Sequence, residues 1–101
     1  MEKWKWDLLT SSAEVTDKQL TNDITFIKTI ILEHADTATS VTIYDESAGG
    51  TDTEFITIHN STAKLNVPII FDVPAQLENG CYIVPKAGQA DIKVWIQYRE
   101  G

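Results

Sequence analysis

Four acids, Asp45, Glu46, Asp52 and Glu54, share the segment IYDESAGGTDTEF with the pair Gly49-Gly50, between two apolar runs. Carboxylates gathered around glycines suit two kinds of chemistry. Calcium takes about six to eight oxygens from a loop in which acids alternate and a glycine permits a sharp bend. The acids here lack that alternation. A phosphate cradle places its glycines ahead of a helix, with a lysine behind them. The run that follows here is β-branched, and the segment holds no lysine. The residues therefore favour a hairpin tip, in which Gly49 and Gly50 supply positive φ and the acids supply solubility.

Cys81, His34 and His59 could serve as nucleophile and base, but no spacing brings them together. A single cysteine within an apolar run behaves as a small buried hydrophobe. It also leaves no intrachain disulfide and no paired-cysteine zinc site. Neither a nucleophile elbow, a His-Glu-x-x-His motif nor a dinucleotide fingerprint occurs. No catalytic residue, metal or cofactor is assigned, and the chain reads as a non-enzyme.

The three tryptophans carry more information. Trp4 and Trp6 share a face at period two, and Trp95 stands among polar residues in the last strand. Such side chains can fill a core, anchor a protein interface or stack on sugar rings. The triplet Asn60-Ser61-Thr62 matches a glycosylation acceptor but reads here as a turn.

Threonine and isoleucine dominate the sequence that must position these residues, and β-branched side chains fit a pleated, half-buried surface. Apolar runs fall at 2–8, 13–16, 24–34, 41–44, 55–59, 65–73, 81–84 and 92–98, separated by Gly, Asn, Asp, Ser and Pro. In the run 24–34, period two puts Ile24, Phe26, Ile30 and Leu32 on one face and Ile27 and Ile31 on the other. In the last run Ile92, Val94, Ile96 and Tyr98 point inward, while Asp91, Lys93, Gln97 and Arg99 point outward with Trp95. Pro68 suits the start of a strand or an edge. The expected fold is a single all-β domain over 1–101. It is an antiparallel β-sandwich of seven or eight strands, jelly-roll or immunoglobulin-like, with 1–10 as an N-terminal arm or first strand.

The 101 residues carry a formal net charge of −7, and their eight Lys and Arg are scattered singly, which argues against nucleic acid as a partner. No apolar run approaches the ~18 residues that span a bilayer, and MEKWKWDLL lacks a signal-peptide core. The expected setting is soluble, reducing cytoplasm at synthesis.

The order VTIYDESAGGT, VPIIFDVPAQLENGCYIV and ADIKVWIQY resembles small phage virion proteins of about this length. The likeness covers roughly 24–98 and leaves out the WKW segment. It implies a β-sandwich structural protein made in the host cytoplasm and carried in the virion. A capsid decoration (cement) protein, a class often trimeric, comes first, and a neck or tail component second. A carbohydrate-binding module using exposed tryptophan is the alternative from outside that class. The implied partners are further copies of the chain and the major capsid protein or other virion proteins, with no nucleic acid and no membrane. The expected interface comprises Trp4, Trp6, Trp95, Tyr98, Ile27 and Ile31, with the arm free to add a strand to a neighbour.

Overall fold

The computed structural model describes residues 3–10, 16–34, 39–60, 66–86 and 92–101. Eight strands run in chain order: β1 Lys5–Thr10, β2 Lys18–Thr21, β3 Thr25–His34, β4 Thr39–Tyr44, β5 Glu54–Asn60, β6 Val67–Leu77, β7 Cys81–Pro85 and β8 Ile92–Glu100. They form two four-stranded antiparallel sheets, in the orders β1-β8-β3-β6 and β2-β7-β4-β5. The chain changes sheet at every connection except β4–β5, where consecutive strands are also neighbours. Eight strands in this order make a jelly roll, which decides between the two topologies the sequence allows. An immunoglobulin domain would divide its strands differently.

The core lies between the sheets because alternate residues of each strand must leave water. Ile27, Ile30 and Leu32 of β3 and Ile92, Val94 and Ile96 of β8 meet Val41, Ile43, Ile58, Cys81 and Ile83 from the other sheet. Each such aliphatic side chain contributes roughly 1.5–3 kcal/mol by its burial. The alternation expected of β8 is present: Lys93, Trp95 and Gln97 lie on the opposite side from the buried residues. Asp91 lies outside the described residues.

Strand β3 departs from the expected phase. Its register with β8 shifts between Ile27 and Thr29, so that Ile27 opposes Tyr98 while Thr29 opposes Gln97. The extra residue, Lys28, is a bulge. Ile27, Ile30 and Leu32 therefore share the core side, and Ile31 is opposite Trp95 on the outer side. Ile24 precedes the strand. The expected run 13–16 is also corrected: residues 13–15 lie outside the described residues, Thr16 is outside any strand, and β2 begins at Lys18. Strand β6 is an edge, as Pro68 requires, and it extends to Leu77.

Lys5–Thr10 is the first strand of the chain's own sheet, paired along its length with β8. Inward charge marks the neighbouring edges. Asp7 and Lys18, on β1 and β2, form an ion pair with Nζ–Oδ2 at 2.6 Å. Inward-pointing charges at exposed edges discourage further strand pairing.

Candidate functional site: the outer face of the tryptophan sheet

Strand pairing turns scattered residues into rows. Leu8 opposes Trp95, Trp95 opposes Ile31, and Ile31 opposes Pro68. This row crosses all four strands on the side away from the core. Next to it runs a second row, Trp6, Gln97, Thr29 and Ile70. Its ends are apolar and open to water, with Trp6 52% and Ile70 68% exposed. Its centre is polar and internally paired, Thr29 Oγ1 donating to Gln97 Oε1 at 3.1 Å.

Beyond these rows the face is cationic. The Arg99 guanidinium lies 4.3 Å from the Phe26 ring centre and 5.3 Å from that of Trp4, and Lys28 Nζ lies 5.6 Å from the Trp4 ring. Cations over aromatic faces are held by the ring quadrupole. At the other side Lys93 opposes Glu33, whose carboxylate Oε2 accepts from the Trp95 indole Nε1–H at 2.7 Å. That bond fixes the Trp95 ring. An open groove of about 580 Å³ results, lined by Trp6, Ile31, Glu33, Asn66 and Trp95.

The structure thus gathers Trp4, Trp6, Trp95 and Ile31 on one surface. It separates Tyr98 and Ile27 from them. Ile27 is wholly buried in the core because the Lys28 bulge turns it inward. Tyr98 opposes Ile27 and packs partly against the core. Its burial, together with the Asp7 carboxylate beside it, pushes its hydroxyl pKa up. Leu8, Pro68 and Ile70 belong to the face although sequence reading did not select them. The adjacent pair Ile69-Ile70 held the signal, since successive apolar residues in a strand place one of them outside.

The acidic segment behaves differently from its expectation. It is the β4–β5 hairpin, but positive φ falls on Ala48 (54°) and Gly49 (72°), and Gly50 has none. With Gly50 N–H donating to Ser47 O at 3.2 Å, this is a type I′ turn. A Cβ at Gly50 would meet only the flexible Glu46 side chain, 2.7 Å from its Oε1 and 3.2 Å from its Cβ, so neither φ nor space requires glycine there. Asp45 is no solvated acid: its carboxylate accepts from the backbone N–H of Glu78 at 3.0 Å and of Asn79 at 2.8 Å. Gln19 Nε2 donates to Glu46 O, while Gln19 Oε1 accepts from Gly49 N–H at 2.7 Å. Asn22 Oδ1 accepts from Ala48 N–H at 3.2 Å. The hairpin is therefore tied to the β2–β3 and β6–β7 turns.

Among the described residues no three His, Cys, Asp or Glu side chains converge as metal ligands. Cys81 is buried, and that burial, with Asp45 adding to it, pushes its thiol pKa up to about 12, far from thiolate chemistry. His59 is exposed on β5. The glycosylation-like triplet runs into Ser61 and Thr62, which lie outside the described residues.

No protein-family model matches the chain, and no curated protein matches it. Among solved structures it is similar to a chain from the virus-like particle of extra small virus of the giant freshwater prawn Macrobrachium rosenbergii. The match covers 100% of this chain and 79% of that one, at 14% identity and a TM-score of 0.45. At that score the likeness carries no argument about role, and the functional reading rests on the chain's own geometry.

Proposed function

We propose that the chain is a non-enzymatic structural subunit of a virus particle, acting by burial of its tryptophan face against other subunits. The finer assignment is a phage capsid decoration protein, with further copies and the shell protein as partners and the virion as its location. One observation carries the reading: an apolar row, Leu8–Trp95–Ile31–Pro68, crosses a whole sheet on the side that its own core does not use. With Trp6 and Ile70 exposed beside this half-buried row, the face is the kind of apolar patch that marks an interaction site, and aromatic residues concentrate where interfaces are strongest. Jelly rolls recur in viral capsid domains, and in lectins and cupins as well, so the fold supports the reading by analogy while the face supplies its mechanism.

The test is direct. Purified protein is expected to self-associate in light-scattering chromatography and to co-sediment with assembled shells that lack it. A strictly monomeric chain that stays in the supernatant would overturn the proposal.

A second reading has its own observation. Trp6 stands half in water, Trp95 is fixed by Glu33, and Asn66 lines the open groove, an arrangement that also suits stacking against a saccharide ring. Tryptophan fluorescence titrated with a glycan panel tests it, and an unchanged spectrum throughout would dispose of it.

A further inference from the structure

The hairpin and the tryptophan face are each built with more care than their own chain uses. The hairpin tip is exposed, yet five hydrogen bonds from Asp45, Gln19 and Asn22 to backbone groups hold it and its neighbouring turn. It also keeps Ala48 in the left-handed region, where a residue with a Cβ is strained by roughly 1–2 kcal/mol. The type I′ turn itself requires that conformation, and the hydrogen bonds hold the exposed tip in one shape. The tip, Ser47 to Gly50, is small-chained and followed by the exposed acids Asp52 and Glu54.

The face has the complementary character. Its outer side holds Lys28, Lys93 and Arg99, three of the chain's eight bases, beside Glu33 and the exposed Asp72, which follows Ile70 by two residues on β6. An otherwise acidic molecule thus keeps one cationic, aromatic surface. Two such faces would repel each other, whereas a face and an acidic turn attract.

We propose that the tryptophan face of one copy receives the β4–β5 turn of a second copy. This rests on the assembly reading above and names the partner of that face. Ala48 and Gly49 enter the open groove beside Trp6 and Trp95, where small side chains let the backbone approach the indole rings. Asp52 and Glu54 then meet Lys28 and Lys93 at the groove's flanks. A turn already fixed in shape loses little freedom on docking. The contact uses different patches on the two copies, so it is heterologous and generates a ring or an open chain of subunits rather than a face-to-face dimer.

Two double variants test this. Lys28→Glu/Lys93→Glu disables the face, and Asp52→Lys/Glu54→Lys disables the turn; all four positions are exposed, and circular dichroism checks each fold. Each variant alone is expected to associate at least about tenfold more weakly than the parent. Mixed together, they are expected to regain association, because the unchanged turn of one meets the unchanged face of the other and the reversed face of the first attracts the reversed turn of the second. If the face variant does not fold, Trp6→Asp replaces it. Undiminished self-association of the turn variant, or a mixture that stays monomeric, would overturn the docking mode while a self-associating parent leaves the assembly reading standing. A parent that never associates with itself would overturn the docking mode, and its failure to bind shells would remove the assembly reading as well.

Discussion

Across the outer side of the β2-β7-β4-β5 sheet, Thr42 Oγ1 and Thr57 Oγ1 hydrogen-bond at 3.0 Å, and the Tyr82 hydroxyl donates to Asp17 at 3.0 Å. Tyr44 and Tyr82 lie against each other with ring centres 6.5 Å apart. The corresponding side of β1-β8-β3-β6 presents exposed Trp6 and Pro68 beside half-buried Leu8, Trp95 and Ile31, a largely apolar surface. Both sheets have the same strand count and the same core. The difference shows that the core does not determine the outside: one face pairs its own hydroxyls, and the other, under the proposed role, would be covered by a neighbouring subunit.

Removing the largest anchor should break that contrast most. Trp95→Ala is expected to weaken self-association by about 100-fold, a loss typical of a central aromatic hot spot, with sedimentation velocity as the measurement. Tyr44→Ala on the opposite face should leave association within about twofold. A comparable loss from both would mean that the faces are equivalent.

The satisfied end of the sandwich should fail in stability instead. Asp45→Ala removes the acceptor of the Glu78 and Asn79 N–H groups, which water can then reach, and is expected to cost about 0.5–1.5 kcal/mol in urea unfolding. Smaller, and confined to alkaline solution, is the effect of Cys81. Its folded pKa of about 12 exceeds the ordinary 9.0, so the folded state favours the neutral thiol. Stability from this source is complete below about pH 9 and is lost as pH rises toward 12. At pH 8 the folded protein should leave a thiol-specific disulfide reagent unreacted, and it should react after denaturation. Least of all, Thr42→Val/Thr57→Val replaces a half-buried hydroxyl pair by matching apolar groups. It should move the urea midpoint by less than the equivalent of about 1 kcal/mol.

Much of this architecture is legible in the sequence, and the exceptions have physical causes. β8 could be read residue by residue because Lys93, Gln97 and Arg99 alternate with Ile92, Val94 and Ile96. β3 was out of phase because its bulge falls on Lys28, where no glycine marks it. β2 was hidden because KQLT has one apolar residue, Leu20, and a register irregularity between Gln19 and Thr21. The tryptophans could be chosen by type, but grouping Trp6 with Trp95 and Ile31 requires knowing that β8 lies between β1 and β3. That order is a long-range property, absent from any local pattern. The role of Asp45 likewise depends on a turn more than thirty residues away.

The position of β8 also bears on how the molecule comes into being. It is synthesised after the seven other strands, yet it lies between β1 and β3 and supplies Ile92, Val94 and Ile96 to the core. Until it emerges from the ribosome, β1 has no partner strand and one edge of β3 is bare. Such non-local pairing folds slowly and leaves strand edges open to other chains meanwhile. The tryptophan face therefore forms only when β8 has emerged and the sheet that carries it is complete.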